Sequence, residues 1–144
     1  MKTVAHILKT KGQHIYSIAP ESTVYDALKL MAEKDVGALV VLKGDAVVGV
    51  FSERDYARKI ILKGKTSKET LVKEIMSEKV LYVTSDQTLE ECMAIMTEKH
   101  IRHFPVMDGD KLLGFISIGD VVKGVISHQQ FVIDQLQKYI TGAR

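Results

Sequence analysis

The sequence has one cysteine, two prolines and no tryptophan in 144 residues. A single cysteine excludes a disulfide framework and a cysteine-built zinc site. It fits a reducing compartment. Two prolines and ten glycines exclude a collagen-like or low-complexity chain. Aromatic residues make up only 6%. An excess of one charge is missing too, since 20 basic and 18 acidic residues leave a net charge of +2. That balance argues against nucleic acid or an acidic membrane as the main partner. No run approaches the ~18 apolar residues of a membrane span. The N-terminus carries Lys2, Lys9 and Lys11 but lacks the apolar stretch of a signal peptide. A cytoplasmic location is the default expectation.

What is present is ordinary for a globular chain, with 46% apolar and 26% charged residues. Its length predicts one domain or two very small ones. A chain of this size buries roughly 68–70% of its unfolded surface, enough for a core without covalent staples.

The informative feature is an internal repeat. Shifted by 65 residues, Ile18–Arg58 falls on Val83–Lys123 without a gap, and ten of the 41 positions are identical. Unrelated segments of average composition would match at roughly two or three. The identities include Thr23/Thr88, Met31/Met96, Gly44-Asp45/Gly109-Asp110, Gly49/Gly114, Ser52/Ser117 and Asp55/Asp120. Each copy predicts the same elements. Thr23 and Thr88 open helical patterns with apolar residues near i, i+3, i+4 and i+7, and each has an acid three residues on, the capping-box spacing. Short apolar runs, three of them with valine, follow at 38–42 and 46–51, and again at 104–107 and 111–117. Gly-Asp turns separate them, so each pair predicts an antiparallel hairpin. A short strand before each first helix, near residues 14–18 and 80–83, and a second helix after each hairpin complete a βαββα unit. The predicted class is α/β (α+β), two pseudo-symmetric repeats forming one module with a long C-terminal helix. The predicted division is 1–66 with a lead-in helix near Val4–Leu8, 67–126 with its own lead-in at Leu71–Met76, and 127–144 as a helical extension. The polar segment 63–69 is the seam.

The end of each last strand carries the candidate chemistry. The first copy reads Gly49-Val50-Phe51-Ser52-Glu53-Arg54-Asp55 and the second Gly114-Phe115-Ile116-Ser117-Ile118-Gly119-Asp120. A serine followed three residues later by an acid is a helix cap. It is equally a place where a helix N-terminus offers N–H groups and partial positive charge to an anion. An acceptor-only carboxylate there can take two ribose hydroxyls, and the glycine would allow close backbone approach. Spacing alone leaves both readings open.

Two βαββα copies, each ending in Gly-apolar-apolar-Ser-x-x-Asp, resemble a tandem pair of cystathionine β-synthase (CBS) domains, over roughly Val4–Ile126. Val72-Lys73-Glu74-Ile75-Met76 and Ile101-Arg102-His103-Phe104-Pro105-Val106 extend the likeness. The resemblance implies a stand-alone regulatory module, and no enzyme. Such a module binds adenosyl ligands (AMP, ADP, ATP, NAD-type dinucleotides or S-adenosylmethionine) in the cleft between the copies and signals to an effector protein. Carried over residue by residue, the first site is Tyr16, Ser17, Ile18, Ala38, Val40, Ser52, Arg54 and Asp55. The second is Tyr82, Val83, Arg102, His103, Pro105, Ser117, Ile118 and Asp120. Serine and aspartate would hold phosphate and ribose. The strand before the first helix and the start of the second strand would line the adenine.

The copies differ in their basic residues. Arg54 is matched by Gly119, whereas Arg102-His103 is matched by Gly37-Ala38. Arg54 is either a phosphate contact or a solvated helix residue. Arg102 and His103 are phosphate contacts at the other site, or Arg102 is a surface ion pair. Unequal occupancy, or two different ligands, follows. His100 and His103 have no carboxylate or cysteine to complete a metal set, so no metal is expected. Cys92 sits on an apolar face, as a core thiol does. Asp108-Gly109-Asp110 is a turn rather than a calcium loop. No P-loop, GxGxxG or nucleophile–base spacing is present.

Val122, Ile126, Gln129, Ile133, Leu136 and Ile140 follow a 4-3-4-3-4 spacing. That is a coiled-coil-like seam, expected to end near Gly142. It either docks on its own chain or pairs with a second subunit. Self-association as a homodimer is the expectation, since a stripe of this kind needs a partner.

Overall fold

A computed structural model describes residues 2–12 and 14–141. The order of elements is α1 (Val4–Lys11), β1 (Ser17–Ile18), α2 (Val24–Lys34), β2 (Ala38–Lys43), β3 (Ala46–Ser52), α3 (Glu53–Tyr56), α4 (Val72–Ile75), α5 (Leu89–Lys99), β4 (His103–Asp108), β5 (Lys111–Ser117) and α6 (Ile118–Thr141). A π-helical turn, Ala57–Ile61, continues α3.

The two copies build the same local structure. In the first, β1 runs parallel to β2, and β2 antiparallel to β3 with a bulge at Val41/Leu42. In the second, β4 pairs with β5, and the first strand shrinks to one parallel bridge between Val83 and Val106. Thr23 caps α2 by accepting from the Asp26 N–H at 3.1 Å. Thr88 and Glu91 close a full capping box on α5. Both helices end on a non-glycine residue in the left-handed region, Asp35 at φ 54° and His100 at φ 56°. Aspartate and histidine are among the residues that tolerate this conformation.

The compact units are not the sequence copies. One unit comprises Met1–Gln13, Val83–Asp108 and Leu113–Arg144, and the other His14–Tyr82 and Gly109–Leu112. The lead-in helices have changed places. Val4 and Ile7 of α1 lie in a core with Leu89, Cys92, Met96, Phe104, Val106, Ile116 and Val121. Val72 and Ile75 of α4 lie in a core with Val24, Ala27, Met31, Leu39, Val41, Phe51 and Ile60. The expected division at residue 66 puts α1 with the first copy, whereas its apolar face is buried by the second.

Backbone bonds explain the exchange. The N–H groups of Val4 and Ala5 donate to Gln87 and Ser85 carbonyls, and Leu89 N–H donates to Lys2. The N–H groups of Val72 and Lys73 donate to Ser22 and Pro20, and Val24 N–H donates to Thr70. These are the same three bonds at equivalent positions. Each satisfies exposed donors at a helix start, which would otherwise lack partners. Gly49 and Gly114 permit the approach. A Cβ on Gly114 would stand 2.5 Å from a Leu8 methyl, and one on Gly49 would stand 2.7 Å from Met76 Sδ and 3.0 Å from the Ser77 carbonyl oxygen. The repeated glycine makes room for the lead-in segment.

Helix α6 begins in its own unit's core at Val121 and then leaves it. Residues 126–140 are exposed apart from half-buried His128. The seam residues Val122, Ile126, Ile133, Leu136 and Ile140 are all exposed, as are Phe131, Val132 and Tyr139. Along this stretch the stripe does not dock on its own unit. The stop expected at Gly142 lies outside the described residues. No described helix is long and apolar enough to cross a membrane.

Candidate functional site

Each Ser-x-x-Asp segment sits where a strand ends and a helix starts, and in both the serine and aspartate cap that helix. Ser52 Oγ accepts from Asp55 N–H at 3.3 Å and donates to Asp55 Oδ2 at 3.1 Å. Asp55 Oδ2 accepts from Ser52 N–H at 3.0 Å. In the second copy Ser117 Oγ accepts from Asp120 N–H at 3.1 Å, and Asp120 Oδ2 accepts from Ser117 N–H at 2.8 Å. The first helical N–H is used as well: Glu53 donates to the Gly37 carbonyl at 3.1 Å and Ile118 to the Arg102 carbonyl at 2.8 Å. The capping reading of the motif therefore holds in both copies.

The two aspartates differ in what else they meet. Asp55 is buried, at 8% exposure. Its Oδ1 accepts from Ser77 Oγ at 3.3 Å and pairs with Lys59 Nζ at 3.2 Å, one turn along the same helical segment. Lys59 also donates to the Ile75 carbonyl at 2.9 Å. At the position equivalent to Lys59 the second copy has Gly124, whose Cβ would collide with Leu89 Cδ1 at 2.6 Å. The cation comes from α1 instead. Lys11 Nζ bonds Asp120 Oδ2 at 2.7 Å and the Phe115 carbonyl at 2.8 Å. Burial pushes the Asp120 carboxyl up, but the hydrogen bond from Lys11, the Ser117 bonds and the Lys11 charge outweigh it and hold it below 3.8.

The strands bring the other first-copy residues beside the motif. Ser17 pairs with Val40 and Ile18 with Val41, while Ala38 pairs with Ser52. Ala38 and Val40 are buried, Ser17 and Ile18 half-buried. Tyr16 packs against the core that holds Val24, Met31 and Phe51, and Lys34 Nζ lies 5.6 Å from its ring centroid. Arg54 is exposed on α3.

In the second copy Val83 bonds the β4 backbone, donating to Pro105 at 3.1 Å and accepting from Met107 at 2.9 Å. Pro105 is buried, His103 half-buried, and Arg102 and Ile118 exposed. Tyr82 is exposed and falls in the other compact unit from Val83. His103 stacks on Phe115, with ring centroids 5.7 Å apart and an interplanar angle of 15°. Burial, with the nearby Lys11 charge, pushes its pKa down to about 4. In the ligand-free chain this environment disfavours the cationic ring. An aromatic stacking surface and a neutral donor or acceptor remain.

Cys92 is buried, and burial with Glu91 and Glu90 pushes its thiol up to about 11. Among the described residues no cluster of histidine, cysteine and acid could hold a metal ion. Sequence reasoning missed Lys11, Lys59 and Ser77. The i,i+4 spacing of Asp55 and Lys59 was a usable signal. Lys11 and Ser77 had none, because each reaches its aspartate from a distant segment.

Comparison with known proteins agrees with this geometry. The CBS domain model matches residues 4–62 and 72–127. The Arabidopsis thaliana mitochondrial CBS domain-containing protein CBSX3 is 40% identical over 97% of this chain and 72% of its own. A putative signal-transduction protein with CBS domains from Burkholderia ambifaria superposes with a TM-score of 0.86 at 55% identity, covering 89% of this chain and 96% of that one. The CBS domain pair of protein MJ0100, solved with 5′-methylthioadenosine and S-adenosyl-L-methionine, shares the fold at a TM-score of 0.78 and 18% identity, over 89% of this chain and 98% of that one. With both copies matched and the capped Ser-x-x-Asp junction present in each, this chain belongs to the CBS-domain family as a tandem pair.

Proposed function

We propose that the chain is a regulatory module, not an enzyme, that binds an adenosyl ligand of the AMP, ADP, ATP or NAD type and signals to a partner protein. The observation that carries this is the doubled junction. In each copy a carboxylate accepts one backbone N–H at a helix start, beside a hairpin whose first strand carries buried apolar residues that suit a flat ring. A carboxylate can accept the two ribose hydroxyls. The adenosyl ligands of the MJ0100 pair support the ligand class. A cytoplasmic working place goes with the proposal, the mitochondrial location being that of the Arabidopsis protein. Calorimetry with AMP, ATP, NAD and S-adenosylmethionine tests it. Binding of at least one at sub-millimolar levels, weakened by Asp55→Ala or Asp120→Ala, is expected. No binding of any of them at millimolar levels would sink the proposal.

A second reading is a ligand-free homodimerisation module, favoured by the apolar stripe of α6 from Ile126 to Ile140. Helices with a 4-3 apolar spacing pair through that stripe. Sedimentation with and without nucleotide separates the two. Self-association that ignores every nucleotide supports the second reading.

A further inference from the structure

The Lys11–Asp120 pair occupies Oδ2, one of the two carboxylate oxygens that a bidentate ribose diol would use. Both the Lys11 ammonium and the Ser117 N–H converge on Asp120 Oδ2, at 2.7 and 2.8 Å. A ribose diol that bridges both oxygens of this carboxylate competes with Lys11 for Oδ2. The pair is partly open to water, with the Lys11 side chain 37% exposed. Ion pairs of that kind are weak and exchange cheaply. A displaced ammonium keeps its bond to the Phe115 carbonyl but loses its counter-charge. It then needs an anion close by.

A cavity of about 320 Å3 opens beside the pair, lined by Lys11 and Asp120 and by Lys2, Lys123, Thr10 and Ser127. This is at the lower end of ligand-pocket volumes. Three lysines face one carboxylate there, so its field favours an anion. The hydroxyls of Thr10 and Ser127 can donate to phosphate oxygens. No other ionisable side chain except His6 borders the cavity. The first copy differs, because the cation on Asp55 is Lys59, bonded to the Ile75 carbonyl.

We propose that Lys11 is the phosphate-receiving residue of the second repeat: the ribose takes Asp120, and Lys11 transfers to the phosphate that the same ligand delivers into this cavity. The inference rests on the adenosyl-binding reading of Asp120 and narrows it. The second repeat selects a phosphorylated nucleoside over adenosine, and rejects S-adenosylmethionine, whose sulfonium adds positive charge where three lysines already face the cavity.

The test is calorimetry of adenosine, AMP, ADP and S-adenosylmethionine on the full chain carrying Asp55→Asn, so that the heat reports the second repeat. It is repeated with Lys11→Met and Lys11→Arg added. The expected result is ADP at least about tenfold tighter than adenosine with Lys11, falling to within about twofold in Lys11→Met and retained in Lys11→Arg. A merely structural role for Lys11 would weaken both ligands together and leave their ratio alone. An unchanged ratio in Lys11→Met, or S-adenosylmethionine binding as tightly as ADP, overturns the exchange while leaving adenosyl binding in place. Failure of every compound to bind even the chain without substitutions overturns the adenosyl reading and the exchange with it.

Discussion

Lys11 Nζ lies 2.7 Å from Asp120 Oδ2, across 109 residues of sequence. The matching aspartate of the first copy, Asp55, finds its cation four residues away in Lys59. One repeat is thus tied to a helix from the far end of the chain, and the other is closed by its own segment. Removing the long-range tie has a measurable cost. Lys11→Met loses a half-exposed ion pair and the bond to the Phe115 carbonyl. We expect a loss of about 1 kcal/mol in urea unfolding, smaller at high salt because exposed pairs are screened.

The two repeated glycines should respond unequally to a methyl group. At Gly49 the new Cβ meets the Ser77 carbonyl oxygen at 3.0 Å as well as Met76, and backbone cannot rotate away. At Gly114 it meets only Leu8 side-chain atoms, the nearest a methyl at 2.5 Å. Gly49→Ala is expected to cost about 1–3 kcal/mol and Gly114→Ala less. Gly114→Ala should cost less still when Leu8→Ala is present, a coupling that a double-mutant cycle in urea reads directly. Equal, uncoupled losses would show that the lead-in helix does not set this glycine.

His103 makes stability fall in mild acid. Its folded pKa of about 4 lies below the ordinary 6.5, so the unfolded chain binds the proton more readily. Stability from this group is complete above about pH 6.5 and is lost as pH falls toward 4, by on the order of 2 kcal/mol. Asp120, also held low, contributes stability above the usual carboxylate range and loses it only in stronger acid. His103→Phe keeps an aromatic ring against Phe115. It should flatten the decline between pH 6.5 and 4 in thermal melts, leaving the steeper acid limb unchanged.

The exposed stripe of α6 predicts concentration-dependent assembly. Ile133 and Leu136, at 47% and 56% exposure, lie at its centre. A carboxylate placed there would have to be buried unpaired in any helix–helix contact. Ile133→Asp is expected to raise the dissociation constant by about a hundredfold or more in sedimentation, with the circular dichroism of the monomer unchanged. A chain that stays monomeric at high micromolar concentration before substitution would remove the seam as an interface.

Much of the fold was legible because its signals are local. The 65-residue offset, the caps at Thr23 and Thr88 and the Gly-Asp turns each depend on residues a few positions apart. The capping role of Ser52 and Ser117 was legible for the same reason. The first strand of the second copy was overestimated: residues 80–83 contribute only the Val83 bridge. A short apolar run does not say how much ladder a neighbour will offer it.

The lead-in helices mark the limit. Val4–Leu8 and Leu71–Met76 read as short lead-in helices, but a helix with an apolar face does not name the face that covers it. The protonation of His103 was not legible for a related reason, since it depends on burial beside Phe115 and Lys11. By itself the sequence determined two similar βαββα copies, their capped junctions and an apolar seam on the last helix, because spacing within one element decides these. Only the tertiary structure decided which helix closes which copy, that Gly49 and Gly114 admit those helices, and that Asp120 faces Lys11 while Asp55 faces Lys59 and Ser77. Those outcomes depend on which surfaces meet in space, and no local spacing encodes that.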